Sequence, residues 1–378
     1  MRLLNEMNTK KFKTGNDLLN EFLRRIDVIS SNAQIRIVSF DTYRESSSLK
    51  DSTRIARKKR SIPPRHFSIC LETDIERVSM SELLASNTTK KSLTELLMPQ
   101  VIKHMKEQNA DYVVAGNCKT YWSLNGQIDE EENDHEEADS LMIRCLKLAN
   151  DVMTTNIVKV YSSDTDVFLL LLSHSDKINC QSLFMCLVKG NVDIKLLCEK
   201  LGNDTSKALL TLHALTGCDT TGKFEGKSKQ FWFRRFLAID QHNTNLVKEL
   251  ADFQESNEST GEIESFICRG YLYRSNKDAQ RKVYETAALN VTRYSLFTKK
   301  QLEGEKLPPT KNAFKYHLSR AHFQLSIWSS ACNSRVNYLD SLHYGWQLED
   351  DKLVAIMTDL NIAPLEVVEL VACKCRGK

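Results

Sequence analysis

The sequence predicts an α/β fold, a mostly parallel sheet flanked by helices and followed by a mainly helical C-terminal region, and three observations carry this. Short β-branched runs such as Gln34 to Phe40 and Ile157 to Ser162 alternate with longer segments whose apolar residues recur at helical spacing. A carboxylate stands where two of those runs end, Asp41 after QIRIVSF and Asp164 after IVKVYSS. Beyond Ala238 the texture changes to helical segments with polar joints. Ligands of open parallel sheets bind outside the carboxyl ends of the strands, so acids at those exits mark where chemistry is expected.

Composition narrows the classes. The 378 residues suffice for one large or two medium domains, and 41% apolar content is that of a chain with a real core. The 52 Lys and Arg against 49 Asp and Glu imply no overall preference for polyanions, so affinity for nucleic acid has to come from local clusters. Eleven cysteines, without a framework of spacings, fit free thiols in a reducing compartment. The start MRLLNEMNTKKFKTG offers no signal peptide, and VFLLLL, ending at Leu172, falls far short of the roughly 18 apolar residues a membrane span needs. A soluble protein that is not secreted is the expectation.

Taken in order, residues 16–30 place Leu18, Leu19, Phe22, Leu23 and Ile26 on one helical stripe, with Asn16 or Asp17 as N-cap. The strand ending at Phe40 follows, and then a cationic segment, residues 42–65, with Arg44, Lys50, Arg54, Arg57, Lys58, Lys59, Arg60 and Arg65. Such a run reads equally as a solvated loop or nuclear localisation signal and as a set of phosphate contacts. Its place directly after a strand-end acid favours the second. Two helical patterns lie between Met80 and Gln108, DYVVA at 111–115 is a third strand, residues 118–125 are ambiguous, and the acidic tract 129–134 reads as a flexible loop. A helix then opens at His135-Glu136-Glu137-Ala138-Asp139 and buries Ala138, Leu141, Met142, Cys145, Leu146 and Ala149.

The stretch IVKVYSSDTDVFLLLL comes next. Asp164 reads either as the cap of a helix from Thr165, with Asp166 in its first turn, or as half of a functional pair. Ser182 to Val188 is a further strand, and Val192 to Leu201 and Asp204 to Leu215 are helices, the second closed by Gly217. His213, among leucines, is expected to be a packed histidine. Thr220 to Lys229 is a glycine-punctuated basic loop. There Gly222 and Gly226 let the backbone approach a phosphate while Lys223, Lys227 and Lys229 supply charge, and FWFRRF adds aromatics and arginines. Helices are expected to about Ser259, over 263–273 and over 310–328. The terminal Cys373-x-Cys375 has half the ligands of a structural zinc.

Asp41, Glu137, Asp139, Asp164, Asp166 and Asp219 each fall at an element terminus. Gathered together they would need cations, and oxygen donors of high charge suit Mg²⁺ or Mn²⁺. Two such ions can activate water and stabilise the leaving oxygen of a phosphodiester. The competing reading leaves every one of these acids as an ordinary cap in an interaction scaffold.

The ordered set IVSFD, a Lys/Arg stretch, EEAD, SSDTDV and LTGCDTTGKFEGKSK resembles the PIN-like domain of the flap endonuclease and XPG-type nucleases. Over most of the chain the sequence is more similar still to transposon-associated, multicopy animal proteins with HEEAD, SPDTDV and HALTGCDTTG-type motifs. That likeness includes PPTKNAFKYHLSRAHFQ, the HYGW at 343–346 and the terminal APLEVVELVACKC. The resemblance implies a 5′-nuclease-like domain over residues 1–236 and a helical region over 237–378. It implies metal ligands at Asp41, Glu137, Asp139, Asp164, Asp166 and Asp219. Lys50 with Arg54 or Arg57 would meet the scissile phosphate, and Arg57, Lys58, Gly222, Lys223, Gly226, Lys227 and Lys229 would hold DNA.

The implied activity is two-metal cleavage of DNA at flaps or junctions in the nucleus, or a degenerate form of it, with RNA and a cytoplasmic location left open. The alternative is binding of nucleic acid without catalysis. The sequence departs from the family in two places. The family begins with a strand ending in another metal-binding Asp, for which Asp17 is a poor substitute, and the C-x-C end resembles a cysteine-rich element cut short. Both suggest a fragment of a longer reading frame with an open sheet edge.

Overall fold

Thr14 starts the first long helix: its hydroxyl accepts from the Asp17 amide while the Asp17 carboxylate takes the amides of Lys13 and Thr14. The cap is therefore Thr14, two residues before the expected start. A side chain beyond the first turn cannot reach back to orphan amides unless the cap residue is extended, as Thr14 is. The computed structural model describes residues 2–7, 12–43, 64–238, 261–273, 288–300 and 304–360. In chain order the helices are α1 (Arg2–Asn5), α2 (Gly15–Ile29), α3 (Met80–Leu83), α4 (Asn87–Glu107), α5 (Ala138–Val152), α6 (Thr165–His174), α7 (Ile194–Leu201), α8 (Asn203–Thr216), α9 (Lys229–Leu237), α10 (Gly261–Leu272), α11 (Leu289–Lys300) and α12 (Lys311–Ser329).

Strands β1 (Ile35–Ser39), β2 (Asp111–Gly116), β3 (Lys119–Leu124) and β4 (Gln127–Glu132) form one sheet in that order. A second sheet joins β5 (Ile157–Tyr161), β6 (Ser182–Leu187) and β7 (Gly190–Asp193). The class is mixed α/β. The sheets are not mostly parallel as expected: only β1–β2 and β5–β6 run parallel, while β2–β3, β3–β4 and β6–β7 are antiparallel. Short connections decide this, because a parallel crossover needs a dozen or more residues and a hairpin needs two. Asn125 and Gly126, at φ 51° and 76°, make the tight turn joining β3 to β4. The acidic tract read as a flexible loop is thus largely β4, held by pairing to β3 through residues such as Trp122 and Asp129.

Two compact units divide the described chain. The first holds the described residues up to Leu210 together with Leu325–Tyr338. The second holds Thr211 to Gln324 and the described residues from Leu339. The units interleave along the chain, where the sequence suggested one boundary near residue 236. In the first, α2 and α4 close one face of the β1–β2 sheet with Leu18, Phe22, Ile26, Leu93, Leu97 and Val101 buried. The other face packs on α5, with Val113, Ala115, Leu141, Cys145 and Ala149 in its core. Met142, expected inside, is half-buried and Ile143 takes a buried place. The second unit is mainly helical, with an added hairpin of β8 (Trp346–Glu349) and β9 (Lys352–Ala355) that the helical expectation lacked. Asp350 and Asp351, at φ 47° and 59°, form its turn. The cysteines among the described residues are free thiols, and no described helix is long and apolar enough to cross a membrane.

Candidate functional site

The strand-end acid Asp41 is bound where the EEAD motif starts. Its Oδ1 accepts the Ala138 amide at 3.0 Å, Tyr43 donates its hydroxyl to Oδ2 at 3.0 Å, and the Thr42 amide donates to the Glu136 carbonyl. Glu137 occupies the N-cap position of α5 but makes no capping bond with its side chain, so an orphan amide of that helix is satisfied by a carboxylate from β1 instead. Asp139 lies in the same first turn. Asp41 is therefore brought to the turn that carries Glu137 and Asp139; all three are half-buried, and the helix dipole favours negative charge there.

Asp164 caps α6. Its Oδ1 accepts the Asp166 amide at 2.9 Å, and its own amide donates to Ser162 Oγ. Both the cap and the expected first-turn place of Asp166 are as the sequence suggested. Asp164 is exposed and Asp166 half-buried. Asp219, also exposed, belongs to the second unit. Asp17 is engaged in the capping box, and the amides of Lys13 and Thr14 hold its carboxyl below the usual range. Among the described residues no three His, Cys, Asp or Glu side chains are grouped so as to hold a metal ion. Lys50, Arg54, Arg57 and Lys58 lie outside the described residues.

His135 has a role the sequence did not disclose. Fully buried, it places Nδ1 2.9 Å from Ser140 Oγ and Nε2 2.8 Å from the Asn333 carbonyl, and burial lowers its pKa. The segment 332–338 clasps the start of α5 through further bonds. Asp134 Oδ1 accepts the Val336 amide, the Glu136 amide donates to Tyr338 Oη, that hydroxyl donates to the Asp134 carbonyl, and Arg144 reaches the Cys332 carbonyl. Arg144 is also paired with Glu131 of β4 at 2.7 Å. Nothing in local spacing signals a clasp nearly two hundred residues away, and the burial of His135 that marks it is visible only in the fold.

In the second unit the GCDTTG motif is a locked turn. Thr221 Oγ1 accepts the Cys218 amide and donates to the Ala214 carbonyl, while Thr220 donates to Gln324 at 2.6 Å. Gly217 has φ 116°, and a Cβ there would stand 3.0 Å from the Gly222 carbonyl oxygen, so the turn requires glycine. His317, buried against Phe224 and Phe314, lies 2.6 Å from the Leu215 carbonyl, and burial brings its pKa down to about 4. The basic residues that follow are placed differently from one another. Lys223 pairs with Glu225 at 3.3 Å, Lys227 lies 4.6 Å from the Phe231 ring centre, and Lys229 stands 2.9 Å from Nδ1 of the buried His213. Gly222 lies near His317, and Gly226 takes φ 72° in open space.

No known family model, curated protein or solved structure matches the chain.

Proposed function

We propose that the chain is a divalent-metal-dependent nuclease acting on DNA, with Asp41, Glu137, Asp139, Asp164 and Asp166 as its acidic centre. One observation carries the reading: the Asp41 carboxylate accepts the Ala138 amide, which joins the strand-end acid to the turn bearing Glu137 and Asp139. Topology supports the rest. Helix α5 starts at the carboxyl end of β1 and packs along β1 and β2, so it runs back down the sheet. The joint 153–156, tied by the Asn150 amide to Thr155, then returns the chain through β5 to Asp164. Asp41 and Asp164 each follow a strand of a parallel pair, β1 beside β2 and β5 beside β6.

The donor set, all carboxylate, suits Mg²⁺ or Mn²⁺, which when bound would neutralise the acids and lower the pKa of a bound water. The chain's own residues position the acids: Tyr43 and the Ala138 amide orient Asp41, and the clasp on His135 fixes the turn that carries Glu137. The resemblance supplies DNA as substrate and, with the basic run at 57–60, a nuclear location. To test this, the purified chain is incubated with labelled flap DNA and Mn²⁺ beside Asp41→Asn and Asp164→Asn. Cleavage by the parent and its loss in both variants is expected. No cleavage by the parent, or equal cleavage by all three, ends the proposal.

A second reading, nucleic-acid binding without catalysis, is favoured by a different observation. Both oxygens of Asp41 and Oδ1 of Asp164 already accept hydrogen bonds within the chain, as pure caps would. It predicts a salt-sensitive gel shift with no cleavage.

A further inference from the structure

Helix α9 divides its aromatics between two faces. Trp232 and Phe236 are fully buried, and Trp232 packs on Phe266 and so closely on Gly270 that a Cβ there would lie 2.2 Å from the indole. Phe231 and Arg235, four residues apart, share another face, and both are only half-buried. On that face a ladder of alternating cations and rings is assembled: Lys227 Nζ is 4.6 Å from the Phe231 ring centre and 5.5 Å from that of Tyr271. Phe231 meets Tyr273 edge-on at 6.0 Å, and the Arg235 guanidinium lies 3.8 Å over the Tyr273 ring. Tyr271 is itself anchored, donating its hydroxyl to the Glu225 carbonyl.

Charge accompanies the ladder. Residues 217–237 hold Lys223, Lys227, Lys229, Arg234 and Arg235 against Asp219 and Glu225. Neither Arg234 nor Arg235 makes an ion pair among the described residues, and Arg234 is exposed. A planar guanidinium has two faces, and Tyr273 takes one of them. Structural cation–π pairs would explain each contact singly. They do not explain why two arginines without an ion pair among the described residues stand beside half-exposed rings on α9.

We propose that this face binds a single-stranded polynucleotide, with unpaired bases stacking on Arg235, Tyr273 and Phe231 and with Arg234 and Lys227 meeting phosphates. Only unpaired bases present open π faces to such a surface, whereas a duplex offers it phosphates alone. The inference rests on the reading that this chain handles nucleic acid, and it names the form held by the second unit. It does not depend on catalysis.

Anisotropy of a labelled oligothymidylate and of a labelled blunt duplex, each titrated with the full chain at several salt concentrations, tests it. The parent is expected to bind the single strand, more weakly as salt rises. The Phe231→Leu/Tyr273→Leu variant, which keeps apolar bulk, is expected to lose about tenfold for the single strand and less than about twofold for the duplex. Arg235→Lys keeps the charge and removes the plane, so it should lose severalfold for the single strand at an unchanged salt slope. Far-UV circular dichroism checks folding, and if the double variant unfolds, Arg235→Lys decides alone. Unchanged single-strand binding in folded variants overturns the ladder, as does a parent that binds only duplex, and the second result leaves nucleic-acid handling intact. A parent that binds neither removes both.

Discussion

At the residue scale, Asp164 shows how one carboxylate can serve two purposes that a substitution separates. As a cap it accepts the Asp166 amide, and asparagine caps as well as aspartate does. Asp164→Asn should therefore leave the urea midpoint almost unchanged, while Asp164→Ala should cost about 1 kcal/mol. If the acid also serves cleavage, both substitutions abolish it, since neither side chain supplies the charge. Cleavage that survives in the asparagine protein would leave capping as the residue's whole role. Gly270 gives a prediction free of function. With Trp232 ring atoms 2.2 Å from its missing Cβ, Gly270→Ala must displace the indole, at about 1–3 kcal/mol of overpacking. A shift in the Trp232 emission and a lower urea midpoint are expected, whereas Gly304→Ala, with open space around it, should leave that emission unchanged.

Among elements, the start of α5 depends on the segment 332–338, and Tyr338 is its double link, accepting the Glu136 amide and donating to the Asp134 carbonyl. Tyr338→Phe keeps the ring and removes both bonds. A loss of about 1–2 kcal/mol is expected, with faster hydrogen exchange at Glu136 and Ala138 but not in the middle of α5. Uniformly faster exchange along the helix would contradict this local role. The helix itself was legible in the sequence, because its apolar period of 3.6 survives whatever packs on it. The strands β1, β2 and β5 were legible as short β-branched runs, and β6 as a short apolar one. The β3–β4 hairpin was hidden by Asp129 to Glu132, whose charge reads as loop although the Asn125-Gly126 pair between two runs is a strong turn signal. Of the candidate site, the association of Asp41 with the EEAD turn was implied by the resemblance alone, since the two lie 97 residues apart in the chain. The clasp was not implied, because Asn333 and Tyr338 contribute a carbonyl and a hydroxyl, and neither group gives a sequence pattern.

For the whole molecule, acid stability is set by histidines that folding keeps neutral. His135 and His174 in the first unit and His317 in the second are all buried, and burial lowers the pKa of each, to about 4 for His317. A histidine with a depressed folded pKa binds its proton more readily in the unfolded chain. Its contribution is therefore complete above the unfolded value near 6.5 and shrinks as the pH falls towards the folded value. For His317, flanked by the Arg320 guanidinium that further opposes protonation, the drop from 6.5 to about 4 comes to about 3 kcal/mol at roughly 1.4 kcal/mol per unit. Carboxylates act lower: Arg24 and Arg25 hold Glu21 at about 2, so its loss falls below about pH 4.5. Between pH 6.5 and 4.5 the slope thus belongs mainly to the histidines. Urea unfolding followed by tryptophan emission should show constant stability from pH 8 to 6.5 and a steady decline below it. Trp232 and Trp346, buried in the second unit, should report a shallower decline in His317→Gln, whose amide can still donate to the Leu215 carbonyl. An identical slope in that variant would show that His317 takes up its proton without loss of the fold.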